Sequence, residues 1–248
     1  MLTLRHGDVH VWFRKTTALG RELEDSTDVF LSTEERARRD RFVFDADRRD
    51  FAVAHDLLRR RLSTYGDIAP QAWQFVTNAY GKPRIESDDP DAAALTFSLA
   101  HTRGCVSCAI ASNAPVGVDV ERVDRSRPFG ELAERYFSSD EAAWVRRECR
   151  EVGAVRFVEL WTLKEAFLKA LGLGLSGSLA DVSFRFDEPA GIIATGSGIA
   201  DEPGWHFGLF EPDLNLRLAV AIRSVVPPSM SVREDGEWKR LQPIRASW

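Results

Sequence analysis

The chain of 248 residues is 44% hydrophobic and 29% charged with a formal net charge of −5, a composition ordinary for a globular protein of one large domain or two of about 120 residues. That acidic balance argues against a general nucleic-acid binder. No apolar run reaches the length of a membrane span, the opening MLTLRHGDVHVWF lacks the apolar block of a signal peptide, and three cysteines make no complete disulfide set, so a soluble, cytoplasmic protein is expected.

Residues 7–13 (GDVHVWF) alternate in polarity and predict a first strand. Ser32 is placed to N-cap a short helix, with Glu35 at the capping-box position. A basic helical stretch follows, carrying Arg36, Arg38, Arg39 and Arg41 ahead of Phe42. The next helix is expected over residues 47–62, with Phe51, Ala54, Leu57, Leu58 and Leu62 inward. Residues 66–70 read as a loop, 73–76 as a strand, Tyr80-Gly81-Lys82-Pro83 as a turn and 88–91 as an acidic surface loop. Residues 95–99 and 105–111 form a strand pair around His101-Thr102-Arg103-Gly104. Cys105 and Cys108 make a C-x-x-C, but strand positions three apart point to opposite faces and no second pair exists, so zinc is not expected.

The second half repeats this order. Leu31-Ser32-Thr33-Glu34-Glu35 recurs as Phe137-Ser138-Ser139-Asp140-Glu141, an offset of 106 that also lays Phe51 on Phe157, Ala54 on Leu160, Leu57 on Leu163 and Leu62 on Leu168. Thr96-Phe97 matches His206-Phe207 at an offset of 110, and residues 108–111 match 220–223 at 112. An internal duplication of two α+β halves accounts for this, with the junction near Asn113-Ala114-Pro115 and an irregular tail after Pro227-Pro228.

The longest helical signal is 157–171 (FVELWTLKEAFLKAL), free of Gly and Pro. At about 100° per residue Leu160, Leu163, Phe167 and Leu171 share a core-facing stripe, while Trp161, Glu165 and Lys169 lie together on another side. Residues 172–177 (GLGLSG) match G-x-G-x-x-G, but they close a helix instead of opening one. Gly172 therefore reads as a C-cap followed by a flexible turn, and the dinucleotide reading fails on context.

Residues 117–121 (GVDVE) form a strand on which Val118 and Val120 face inward and Asp119 and Glu121 face together the other way. Two carboxylates on one face repel unless a cation sits between them. With Glu165 as a third carboxylate, a hard cation such as Mg²⁺ is the natural occupant.

These residues resemble the 4′-phosphopantetheinyl transferases of the surfactin-synthetase-activating (Sfp) type, across most of the chain. Gly117-Val118-Asp119-Val120-Glu121 is similar to that family's G-[IV]-D-[IV]-E, and Trp161 through Lys169 to its W-[ST]-x-K-E-[AS]-[FY]-x-K. Phe97-Ser98-Leu99-Ala100-His101-Thr102 is similar to F-[NS]-[IL]-S-H-[ST], Tyr80-Gly81-Lys82-Pro83 to its G-K-P turn, and Arg135 through Glu141 to R-[FY]-F-[ST]-x-x-E. The resemblance implies an α+β fold of two pseudo-twofold-related α/β halves, 1–114 and 115–248, with the active site in the cleft between them. It implies transfer of the phosphopantetheine arm of coenzyme A to a serine of an apo acyl or peptidyl carrier protein, Mg²⁺-dependent, with release of 3′,5′-ADP, by a monomer. By motif, Asp119, Glu121 and Glu165 would bind the metal. His101, Lys82, Arg38 and Arg49 would hold the nucleotide phosphates, and Lys164 and Lys169 would flank the pyrophosphate. Glu165, or a metal-bound water it orients, would take the serine proton.

Ala100 stands where most of that family has Ser, implying one missing hydroxyl contact to coenzyme A. It is the one feature favouring a non-catalytic homologue that binds coenzyme A or carriers without transfer. A metal-dependent nuclease is a further alternative, but its motif needs an acid two residues before the lysine, where Thr162 stands before Lys164. No nucleic-acid or membrane partner is expected.

Overall fold

The computed structural model describes residues 1–17, 28–172, 174, 178–187, 190–196, 199, 202–237 and 239–247. Its first half contains β1 (Asp8–Lys15), α1 (Thr33–Arg39), α2 (Asp45–Leu62), β2 (Gln74–Thr77), β3 (Pro83–Glu86), the single turn α3 (Pro90–Ala93), β4 (Leu95–Thr102) and β5 (Cys105–Ser112). The second half contains β6 (Val116–Arg122), α4 (Phe129–Tyr136), α5 (Ser139–Arg147), α6 (Arg150–Leu171), β7 (Val182–Asp187), β8 (Gly191–Gly196), β9 (Trp205–Asp213) and β10 (Leu216–Arg223). The last segment adds β11 (Ser229–Glu234), β12 (Arg240–Leu241) and β13 (Arg245–Ser247). The acidic loop at 88–91 is thus partly helical, with Asp89 capping α3 through the N–H of Asp91. No described helix is long and apolar enough to cross a membrane.

Both halves order their central strands alike: β1-β5-β4 in one sheet and β6-β10-β9 in the other. The sheets pack face to face through Val9, Val11 and Phe13 of β1 against a cluster holding Val118, Val120, Leu218 and Val220. Their outer faces are covered by α2, through Leu57, Leu58 and Leu62, and by α6, through Leu160, Leu163 and Phe167. The duplication is therefore four layers deep, helix on sheet on sheet on helix. Cys105 packs in the inter-sheet cluster and Cys108 in the α2 cluster, opposite faces as alternation requires. Burial pushes both thiols up to about 12. Strand pairing refines one offset: Trp12 lies opposite Cys108 as Asp119 lies opposite Ala219, so like faces match at 111 and not 112.

The duplication extends to polar detail. Ser32 and Ser138 each close a capping box with Glu35 and Glu141. Each glutamate then reaches a buried cation of the long helix. Glu35 accepts from Arg59 Nε at 3.0 Å, and Glu141 pairs with Lys164 at 2.8 Å. Arg59 donates onward to the carbonyls of Pro70 and Trp73, and Lys164 to those of Leu179 and Val182. In both halves a buried cation pins the 3₁₀ turn that follows the long helix.

The tail expectation is corrected. β11 runs parallel to β1 in the first sheet, while β13 sits between β9 and β8 in the second. Residues beyond 228 therefore contribute strands to both sheets.

Candidate active site

Gly117 decides how closely β6 approaches α6. A Cβ there would stand 1.9 Å from the Ala166 carbonyl oxygen and 2.6 Å from the Ala170 nitrogen, so only glycine permits the contact. Asp119 and Glu121 follow on the same face of the strand. They are thereby held against the side of α6 that carries Trp161, Glu165 and Lys169, each half-buried where the neighbouring positions are buried. The face that Asp119 and Glu121 share is the mouth of a strand–helix seam.

Lys169 Nζ donates to Asp119 Oδ1 at 2.6 Å, the aspartate 6% and the lysine 32% exposed in their side chains. Asp119 Oδ2 is buried and has no hydrogen-bond partner. Thr102 Oγ1 donates to Glu121 Oε2 at 3.1 Å. Burial first, and the neighbouring Asp119 charge second, push the Glu121 carboxyl up to about 7. The same two causes raise Glu165, with Lys169 opposing them. The three acids thus feel one another, although among the described residues no three are already gathered as a metal cage. The donor set still suits a hard cation: all are carboxylate oxygens, one is buried without a partner, and an ammonium already stands on the other oxygen of Asp119.

His101 is an exposed residue at the far end of β4. β4 and β6 lie side by side, with Val118 N donating to Ser98 Oγ at 3.1 Å. Partial desolvation of the ring first, and then the Lys169 charge, holds the imidazole below its usual range, with Asp50, Asp47 and Asp119 opposing. His101 adjoins Thr102, which bonds Glu121 of the acidic seam, at the hairpin end that Asp50 of α2 holds through Gly104. The hairpin beyond it turns on Arg103-Gly104, with Gly104 at φ +85. Asp50 accepts from Gly104 N at 3.1 Å and from Thr16 Oγ1, which fixes the strand end that carries His101 and Thr102. Arg38 is exposed, its guanidinium 5.7 Å from the Phe51 ring centroid, and Arg49 is half-buried on the first turns of α2.

Two of the expected phosphate ligands are engaged elsewhere. Lys164 has no exposed side-chain surface and is the hub of the second half, paired with Glu141 and two carbonyls. It does not reach the cleft, because residues 164 and 165 are a helical step apart and only the latter faces the seam. Lys164→Met is accordingly expected to cost about 3–5 kcal/mol of stability, from an uncompensated buried Glu141, and to leave the kcat of the folded fraction within a few-fold of wild type. Denaturant titration together with specific activity per folded molecule checks this. Lys82 donates to the carbonyls of Ala170 at 3.0 Å and Val116 at 3.3 Å, and burial pulls its ammonium down to about 8.

Ala100 is 3% exposed and packs in the inter-sheet cluster. Its side chain faces the core and not the cleft, so it offers no support for a non-catalytic homologue. Thr102, part of the motif at 97–102, carries a bond to Glu121 that the sequence did not reveal. Arg135 and Tyr136, quoted only as motif residues and not among the expected site residues, line a cavity of about 640 Å³ with Tyr80, Trp161, Glu165 and Lys169. Gly172 caps α6 with φ +72, as expected. Residues 173 and 175–177 of the glycine-rich stretch lie outside the described residues.

The profile of the 4′-phosphopantetheinyl transferase superfamily matches residues 115–221, the stretch that holds β6 and α6. The 4′-phosphopantetheinyl transferase HetI of Nostoc sp. is 31% identical over 222 residues, spanning 89% of this chain and 90% of its own. Sfp of Bacillus subtilis is 31% identical over 160 residues, 64% of this chain and 68% of its own. The 4′-phosphopantetheinyl transferase gsp of Aneurinibacillus migulanus is 35% identical over 119 residues, 48% of this chain and 46% of its own. With the likeness to HetI running almost end to end across both repeats, the chain belongs to the 4′-phosphopantetheinyl transferase superfamily.

Proposed function

We propose that this protein transfers the 4′-phosphopantetheine arm of coenzyme A to a serine hydroxyl of an apo acyl or peptidyl carrier protein, with Mg²⁺, and releases 3′,5′-ADP. The observation that carries the reading is the buried, partner-free oxygen of Asp119, held by Gly117 against the helix face of Glu165 and Lys169. In the reaction the serine oxygen bonds to the phosphorus bearing the pantetheine arm. The bond from that phosphorus to the bridging oxygen of the nucleotide breaks, and 3′,5′-ADP leaves with the electron pair.

Asp119, Glu121 and Glu165 would hold the metal. When bound, Mg²⁺ supplies neutralisation of charge developing on the pyrophosphate oxygens. Lys169 adds a positive charge at the same place and keeps Asp119 oriented through their 2.6 Å bond. Glu165 accepts the serine proton, directly or through a water. Its raised pKa, caused by burial and Asp119, brings it nearer the range in which a base works best at neutral pH. His101 at the end of β4, Arg38 on α1 and Arg49 on α2 would hold the nucleotide phosphates. Lys82 contributes charge at the junction of the halves. The protein acts as a cytoplasmic monomer in this reading.

The test is incubation with Mg²⁺, coenzyme A and a panel of apo carriers of fatty-acid, polyketide and nonribosomal-peptide type, followed by intact mass measurement. At least one carrier should gain the mass of one phosphopantetheine. No gain on any carrier, with a known transferase loading the same panel, overturns the reading.

A further inference from the structure

The turn after β2 belongs to the first half, yet its partners lie on the last turn of α6 in the second. Asn78 Oδ1 accepts the N–H groups of Tyr80 and Lys82, each at 2.9 Å, and so shapes the turn. Its Nδ2 donates to the Gly172 carbonyl at 3.1 Å. The orientation of the amide follows from those partners, two donors on one side and an acceptor on the other. Lys82 Nζ adds bonds to the carbonyls of Ala170 and Val116.

The final carbonyls of a helix have no intrahelical partner, and a cation beside them opposes the negative end of the helix dipole. Asn78 and Lys82 supply both needs from across the junction of the halves. The contact is close: a Cβ on Gly172 would stand 2.9 Å from Lys82 Cδ, and one on Gly174 2.6 Å from the Tyr80 carbonyl oxygen. Lys169 immediately precedes Ala170, and Glu165 is one turn earlier.

We propose that Asn78 is a positioning residue, the centre of a clasp with Lys82 through which the first half holds the last turn of α6, and with it Lys169 and Glu165, in the geometry of transfer. The inference rests on the transfer reading for its kinetic consequence, but the clasp itself is read separately. Without it the last turn gives its carbonyls to water and frays, as helix ends with few tertiary contacts do. A displacement of about 1 Å at a reacting group costs roughly 10²-fold in rate.

Asn78→Asp is the decisive variant. It keeps the oxygen that accepts from Tyr80 and Lys82, so the turn persists, but it loses the donor to Gly172 and brings a negative charge to the helix C-terminus. Amide hydrogen exchange at residues 168–172 is expected to quicken at least about tenfold. The kcat of transfer should fall roughly 10- to 100-fold, with KM for coenzyme A within about twofold of wild type. Lys82→Met should quicken the same exchange, and Lys82→Arg should stay closer to wild type in that readout because a guanidinium can still donate to both carbonyls. Unchanged exchange and kcat in Asn78→Asp overturn the proposal. So does a raised KM with unchanged exchange, which would make the turn a nucleotide contact only. If the wild type loads no carrier, the transfer reading fails, while the exchange comparison still decides whether the clasp holds α6.

Discussion

Asp119→Asn is expected to lose transfer by roughly 10³-fold or more, since a bound metal supplies several kcal/mol of transition-state charge stabilisation and each 1.36 kcal/mol is tenfold. Asparagine keeps the shape but removes the charge, and one of its two positions on the carbonyl side becomes an amide donor that repels a cation. The fold should survive. Lys169 is partly exposed and can turn to water when its partner is neutralised, so no uncompensated buried charge is left behind. Asp119 also raises the carboxyls of both Glu121 and Glu165, so removing its charge relieves repulsion and should leave the melting temperature equal to or above wild type. Lost activity with preserved stability is the signature of a site residue held at some cost to the fold. Calorimetric titration with Mg²⁺ or Mn²⁺ reads the metal directly: binding should vanish with transfer. Substantial turnover under Mg²⁺ would remove Asp119 from the site.

The same acids make the metal affinity pH-dependent. Glu121 must lose its proton to ligate, and its carboxyl in the metal-free protein is pushed up to about 7. Below that pH the proton competes with the metal, and above it does not. Affinity measured at pH 8 should therefore exceed that at pH 6 by about tenfold for the one proton released.

Glu165→Gln is expected to lower kcat by about 10²–10⁴-fold, the usual contribution of a positioned base, while retaining coenzyme A binding. Glutamine keeps the length and one carbonyl ligand but cannot accept the serine proton. Lys169→Met should slow transfer for a different reason. It removes the ammonium next to the phosphate charge and at the same time frees Asp119 Oδ1, so metal binding should be kept or tightened as turnover falls. That opposite movement separates the lysine from the ligands. The two losses should not add in the double variant, because both side chains act on one group and both are coupled to Asp119. Near-normal turnover in Glu165→Gln would assign α6 to packing and place the base elsewhere. Loss of coenzyme A binding along with turnover would make Glu165 a ligand only.

Local patterns in the sequence determined a good deal of this. The stripe of Leu160, Leu163 and Phe167, the opposite trio of Trp161, Glu165 and Lys169, the two capping boxes and the C-cap at Gly172 all follow from helical period and end chemistry within a few residues, where neighbours along the chain are also neighbours in space. The repeat was legible for the same reason, since both copies spell the same local signals. Tertiary structure alone decided what each residue meets across the fold. Alternation shows that Asp119 and Glu121 share a face but not that α6 covers it, because both faces of β6 are buried and Gly117 reveals its purpose only when Ala166 is against it. The resemblance gives Lys164 and Lys169 the same role, but Glu141 claims one and Asp119 the other. Asn78 shapes its own turn through Tyr80 and Lys82, but its bond to Gly172 crosses to the other half. The strands after Pro228 read as an irregular tail because each is completed by a strand distant in the chain, β11 by β1 and β13 by β9. Such pairings depend on the backbone edge that is left open, which no run of side chains encodes.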